Sequence, residues 1–233
     1  MKNTIIDERL LAAAELVRGR FIADVGTDHG FLPIYLALAG KIDGAVASDI
    51  KSAPLKKAET NIKANGLENV IKTELAAGLS GLEKYAFDDI VIAGMGGLNI
   101  IGILDGAPFV KERRTHLILQ PMQHITELRT YLCENGYVID KESLAVSDGK
   151  IYQIISASYA GGRVSLSEKE LLLGAYTIAH KNDCPAYFNA FCDKYISVLK
   201  TKIRGLEKGG KNADAERRLL YETEQEKIII SED

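Results

Sequence analysis

A chain of 233 residues, 46% of them hydrophobic, is long enough to bury one substantial α/β core and a smaller appendage. Its net charge of −3 excludes a uniformly basic surface, so any polyanion must be met by a local patch. Three cysteines, Cys133, Cys184 and Cys192, without C-x-x-C spacing or a matching histidine pair, argue against a zinc site and a disulfide framework; a reducing cytoplasm fits that usage.

The opening segment MKNTIIDERLLAAAELV interrupts its apolar positions with Asp7, Glu8, Arg9 and Glu15, the pattern of an amphipathic helix and not of a secretion signal. No run approaches the ~18 apolar residues of a membrane span, so a soluble protein is expected. From about residue 20 to 160, strand-length apolar runs alternate with helical patterns. RFIADVG reads as the first strand and PIYLALAG as its helix, with Pro33 near the start; GAVASDI is the second strand, and the helix APLKKAETNIKANG closes on Asn65-Gly66. VIKTELA, DDIVIAG and THLILQP are the third to fifth strands, with the short helix LNIIGILDG between the last two and the helix ITELRTYLCENG after them. Two further strand-like segments then meet at Ser147-Asp148-Gly149, a hairpin signal with no helix between its arms. Beyond Tyr159 and the Gly-rich joint AGGR the pattern is helix only: three helices, separated by NDCP and EKGGKN, carry apolar stripes that a bundle or antiparallel coiled coil would bury. The expected division is 1–160 for the α/β domain and 161–233 for the helical one.

Seven strands ending in an antiparallel hairpin differ from the two βαβαβ halves of a dinucleotide-binding fold. They resemble the class I, Rossmann-like S-adenosylmethionine-dependent methyltransferase arrangement, although periodicity alone says only α/β and mostly parallel. The loop after the first strand, DVGTDHG, has the spacing D-x-G-x-x-x-G. Gly26 lets the backbone turn sharply off the strand and approach a ligand. Asp49, 25 positions after Asp24 at the carboxyl end of the second strand, can accept hydrogen bonds from both ribose hydroxyls of a nucleoside. That acid serves NAD and S-adenosylmethionine alike, so the loop must discriminate. Asp24, Asp28 and Asp49 on one pocket edge would repel a pyrophosphate and tolerate a sulfonium cation or an amino-acid ammonium. The plainer alternative is that Asp24 and Asp28 only cap the helix beginning near Leu32.

The blocks ADVGTDHGFLPIYL, DDIVIAGMGG and LILQPM followed by LRTYL resemble the bacterial TrmK family of tRNA methyltransferases, which methylate N1 of adenine at tRNA position 22. The likeness runs through most of residues 8–155 and extends more weakly into the tail. Three departures stand out: Ala76-Ala77-Gly78-Leu79 replaces Gly-Asp-Gly-Leu, Ala53-Pro54 replaces Gly-Pro, and Met122 replaces the Asn that often follows Gln-Pro. The first puts the usual side-chain contact to the cofactor adenine in doubt, leaving backbone N–H at 77 or 78 to serve.

The resemblance implies S-adenosyl-L-methionine as cofactor, held by Asp24, Gly26, Thr27, Asp28, His29, Gly30, Asp49, Ile50, Ala77, Gly78, Ala93 and Gly94. Adenine N1 keeps a free lone pair at neutral pH, so no base is needed before attack; the product ring is cationic, and an acceptor for the N6 amino group would stabilise the charge as it develops. Asp28 is the candidate for that catalytic role, with His29 positioning the base. Ala93-Gly94-Met95-Gly96-Gly97 offers room and carbonyl oxygens for the base. A tight strand-to-helix turn alone would explain two of its three glycines and explains all three poorly. Gln120-Pro121 ends the fifth strand on the same edge, where Gln120 would reach the base or satisfy local backbone. Arg9, in the helix that covers this edge in the family, is assigned to RNA phosphate or to a surface salt bridge. His116, His124 and His180 lack metal-ligand spacing and read as ordinary surface or helix-end residues. Lys194, Lys200, Lys202, Arg204, Lys208 and Lys211, against Asp193 and Glu207, form a local basic face on the second tail helix. Lys200 and Arg204 are its candidate tRNA contacts, with a merely solvated helix face as the alternative. The expected protein is a cytoplasmic monomer that binds tRNA, no metal and no membrane. A non-catalytic cofactor- or RNA-binding module and a small-molecule methyltransferase are the competing readings, with an NAD dehydrogenase further behind.

Overall fold

The computed structural model describes residues 6–228, in which strands and helices are interspersed as far as Tyr159 and helices alone follow; the first five residues of the N-terminal amphipathic pattern lie outside it. In chain order the elements are α1 (Glu8–Leu16), β1 (Phe21–Val25), α2 (Phe31–Leu38), β2 (Gly44–Asp49), α3 (Ser52–Ala64), β3 (Ile71–Leu75), β4 (Asp89–Met95), α4 (Gly97–Asp105), α5 (Phe109–Glu112), β5 (His116–Pro121), α6 (Ile125–Glu134), β6 (Tyr137–Ser147), β7 (Lys150–Tyr159), α7 (Glu168–Leu173), α8 (Ala175–Ala179), α9 (Pro185–Lys208) and α10 (Asp214–Glu226). The strands form one sheet in the order β3-β2-β1-β4-β5-β7-β6. The first five are parallel, and β7 runs antiparallel to both of its neighbours.

Strand residues are apolar on both faces because helices cover both. Ala23, Val25, Ile90, Ile92, Leu117 and Leu119 face Ile100 and Leu104 of α4 and Leu128 and Leu132 of α6. The alternate residues Ile22, Ala45, Ala47, Val91 and Ile118 pack with Ala13 and Leu16 of α1, Ile34 and Leu36 of α2 and Ile62 of α3. Strand order reverses between β1 and β4, so the crevice outside their carboxyl ends is the natural ligand position of this sheet.

The tail joins the sheet through a third cluster, in which Leu173, Phe188, Phe191, Cys192 and Ile196 pack on Ile151 of β7. Its first expected helix is split into α7 and α8 at Gly174, whose φ of +91 ends one helix and starts the next. A Cβ there would fall 2.0 Å from the Glu142 carboxylate. That carboxylate accepts the N–H and hydroxyl of Thr177, so the chain bends around a buried acid. The pairs Lys202–Glu216 and Lys200–Glu224 show α9 and α10 to be an antiparallel hairpin.

One histidine departs from expectation. His116 is buried at the amino end of β5, its Nδ1 against Asp89 and its Nε2 2.7 Å from the Ser156 hydroxyl, which in turn donates to Asp140 at 2.5 Å. Asp89 also accepts the Arg18 and Gly19 N–H groups at 3.0 and 2.6 Å. This polar chain ties the segment between α1 and β1 to β4, β5, β6 and β7 at the end of the sheet opposite the crevice. His124 and His180 do sit at helix ends, beside Glu127 and stacked on Tyr176.

Candidate functional site at the carboxyl edge of the sheet

The loop after β1 is folded onto β2. Ser48 O accepts both the Gly26 and the Thr27 N–H at 2.8 Å, and the Thr27 hydroxyl oxygen accepts the Gly30 N–H at 3.1 Å. Three N–H groups that a pyrophosphate would need are therefore already used. Gly26 takes φ +80, and a Cβ on it would lie 2.1 Å from the Met95 methyl, so the turn off β1 closes directly against the end of β4. Gly30, at φ +68, starts α2 without any side-chain cap. Capping is thus not the role of Asp24 or Asp28.

The three acids are not equivalent. Asp24 is buried, and burial, reinforced by the nearby Asp49 charge and opposed by a hydrogen bond with Thr27, pushes its carboxyl up to about 6. Asp28 is exposed, with His29 Nε2 at 3.2 Å and Lys57 Nζ at 4.0 Å, so its charge is partly met. Asp49 is half-buried and accepts the Lys51 N–H at 2.7 Å. His29 stacks on Phe31 at 4.9 Å, and its carbonyl accepts from Asn61 of α3. Ile50 and Ala77 are exposed; Gly78 turns at φ +61 against Ile103. Ala93 and Gly94 end β4, Gly94 at φ +78. The cofactor candidates accordingly follow or end β1, β2, β3 and β4 at one edge of the sheet.

Raising the Asp24 carboxyl has a sign that can be checked. Between about pH 4 and 6 the folded chain holds a proton that the unfolded chain has lost, so this group's contribution to stability is complete below about pH 4 and is lost as pH rises through 6, by roughly 3 kcal/mol in all. Asp24→Asn is expected to gain stability relative to wild type across that interval. Urea denaturation of both proteins at several pH values measures it; parallel profiles would reject the assignment.

Of the glycines after β4, two answer to the fold. Gly94 needs its positive φ, and a Cβ on Gly97 would fall 2.2 Å from the His124 carbonyl. Gly96 has φ −68, and a Cβ there would meet Gln123 only at an ordinary contact distance of 3.5 Å, so the fold does not itself require glycine at this position. The Met95 carbonyl accepts the Met122 N–H at 2.8 Å, joining this turn to the one after β5.

At Gln120 and Arg9 the structure shows the local alternative. Gln120 is fully buried: its amide oxygen accepts Arg9 Nη1 at 2.6 Å and the Gly94 N–H at 3.0 Å, and its Nε2 donates to the Pro121 carbonyl. It braces the edge and holds Arg9 without presenting a group to a base. Arg9 is not a free cation: it is half-buried, ion-paired with Asp7 at 3.1 Å and bonded to Gln120. Its guanidinium lies 6.0 Å from the ring centroid of Tyr152, a residue in no motif of the chain. Pro121 is buried and Met122 half-exposed at the same turn.

The basic face of α9 is neutralised in part: two of its six cations are ion-paired. Lys200 pairs with Glu224 at 3.1 Å and Lys202 with Glu216 at 2.9 Å, and Lys194 donates to the Ile151 carbonyl. Arg204, Lys208 and Lys211 have no carboxylate within ion-pair distance among the described residues. Of the two candidate tRNA contacts, Arg204 is exposed and open, whereas Lys200 must exchange an intramolecular partner. Among the described residues no helix is long and apolar enough to cross a membrane, and no group of three His, Cys, Asp or Glu is placed to hold a metal ion.

Residues 6–155 match the family model of a methyltransferase domain. The chain is 34% identical over 189 residues to the tRNA (adenine(22)-N(1))-methyltransferase of Bacillus subtilis, covering 78% of this chain and 79% of that one. Among solved structures it is similar to a Streptococcus pneumoniae chain in complex with S-adenosyl-L-methionine (TM-score 0.81, 30% identity, 94% and 99% of the two chains). It is also similar to Mycoplasma capricolum TrmK in complex with S-adenosyl-homocysteine (TM-score 0.73, 28% identity, 94% and 96%).

Proposed function

The chain belongs to the family of bacterial tRNA (adenine(22)-N1)-methyltransferases, and on that premise we propose that it transfers the methyl group of S-adenosyl-L-methionine to N1 of the adenine at position 22 of tRNA. The likeness to the curated enzyme over more than three quarters of the chain carries the reading. The loop chemistry agrees with it: a cradle whose glycine admits no side chain, whose N–H groups are spent on Ser48 and Thr27, and whose charged groups include a buried and an exposed carboxylate fits a cationic methyl donor better than a diphosphate.

When bound, S-adenosyl-L-methionine supplies an electrophilic methyl on a sulfonium. The protein's part is alignment and charge. Asp24, Gly26, Thr27, Asp49 and the backbone at Ala77-Gly78 and Ala93-Gly94 hold the donor. Asp28, on the loop beside them, accepts from the N6 amino group of the adenine as the ring becomes positive; the carbonyl oxygens of the Ala93–Gly97 turn are second acceptors. His29 orients the base. Gln120 acts through Arg9, fixing it over the edge where the substrate enters. Residues 161–233 grip the tRNA, with Arg204 and, after partner exchange, Lys200 on its phosphates. A monomer working in the cytoplasm completes the proposal.

Incubating the protein with S-adenosyl-L-methionine and unmodified tRNA, then mapping nucleosides by mass, is expected to reveal 1-methyladenosine at position 22. Methylation of small metabolites with tRNA untouched would reject the proposal, and cofactor binding without any turnover would point to a decayed binding module.

A further inference from the structure

An adenine inside a tRNA fold must leave its stack before a methyl can reach N1, and enzymes that extrude a base hold it against aromatic or apolar side chains. The turn after β4, Ala93–Gly97, supplies no aromatic ring for that purpose. Among the neighbouring rings Phe31 is stacked by His29, and Tyr131 and Tyr195 line the same cavity as Tyr152 but have no contact with Arg9.

Tyr152 is placed differently. Extending the register in which Leu119 opposes Ile155 brings it level with Met122, just past the carboxyl end of β5. It is half-buried and lines a cavity of about 920 Å³ together with Pro121, Met122 and His124. That volume is within the ~300–1,000 Å³ range of small-molecule clefts. Arg9 lies 6.0 Å from the ring centroid and shares the Gln120 oxygen with the Gly94 N–H, so the ring is fixed at the boundary between the cavity and the glycine turn against which the cofactor loop closes. From this geometry we infer that Tyr152 is the stacking platform for the extruded adenine, with Arg9 steadying the ring.

The inference rests on the tRNA adenine reading. It is tested with full-length protein, S-adenosyl-L-methionine and unmodified tRNA, comparing Tyr152→Leu, which keeps apolar volume, with Tyr152→Phe, which keeps the ring. Tyr152→Leu is expected to lower kcat/KM for tRNA by about five- to 150-fold, the loss that follows removal of one base-stacking ring. Tyr152→Phe should remain within about threefold of wild type, since every base stacks on a bare ring. Cofactor affinity by calorimetry and the melting temperature should be unchanged in both. Wild-type kcat/KM in Tyr152→Leu, failure of Phe to restore it, or a parallel loss of cofactor binding would each overturn the inference. A wild-type protein that transfers no methyl to tRNA would overturn the underlying reading itself, and the inference with it.

Discussion

Asp28→Ala is expected to lower the single-turnover rate of methyl transfer to tRNA by about 100- to 1,000-fold, the usual cost of removing one group aimed at developing charge. The fold should not notice. The Asp28 side chain is 67% exposed, and its neighbours are His29 and a lysine at the limit of ion-pair distance, so stability should change by no more than about 0.5 kcal/mol. Cofactor affinity should change little as well, because the proposal gives the donor's carboxylate contacts to Asp24, buried near the end of β1, and to Asp49. Asp28→Asn keeps an acceptor oxygen and loses the charge, and it should fall between wild type and alanine. Rapid-quench transfer with enzyme in excess, paired with calorimetric titration of S-adenosyl-L-methionine, separates the two effects. A wild-type rate in Asp28→Ala would move the acceptor role to the carbonyl oxygens of the glycine turn.

What could be read in the chain beforehand is what depends on neighbours in sequence. The strands were legible because each is an apolar run closed by turn residues, and the hairpin because Asp148-Gly149 takes the left-handed conformations such a turn needs. The turn after β1 and the place of Asp49 at the end of β2 were legible for the same reason: motif and strand end are adjacent. His116 was not, since its partners Asp89 and Ser156 lie 27 and 40 residues away. Nor was the pairing of Arg9 with Gln120, 111 residues apart, or the cation over Tyr152. Lysines at helical spacing on α9 announced a basic face, but its neutralisation depends on which α10 acids the antiparallel turn brings opposite. Glycine inside LLLGAYTIAH reads as a tolerated helix position until the acid it bends around is known.

That acid sets the second large effect. Arg129 and Glu142 have no exposed side-chain surface; Arg129 Nε donates to Glu142 Oε1 at 2.9 Å, and Nη2 approaches the same oxygen without a directed hydrogen bond. Arg129 Nη1 also donates to the carbonyls of Leu171 and Leu172, at the end of α7, while Glu142 holds Thr177 of α8. The pair is the polar joint between the sheet and the tail. Arg129→Met leaves a buried carboxylate facing no cation and two orphaned carbonyls, and is expected to destabilise the protein by about 3–5 kcal/mol. At about 2–4 °C per kcal/mol for a chain of this size, calorimetry should record a fall of roughly 6–20 °C. Adding Glu142→Leu should recover part of the loss, because the penalty lies in the unpaired charge more than in the missing attraction. Recovery of stability need not restore the joint: the Thr177 and Leu171 anchors are still gone, so the double variant should keep cofactor affinity and show a raised KM for tRNA. Equal KM values in the wild type and the double variant would mean that the tail does not need this joint to present its RNA-facing surface.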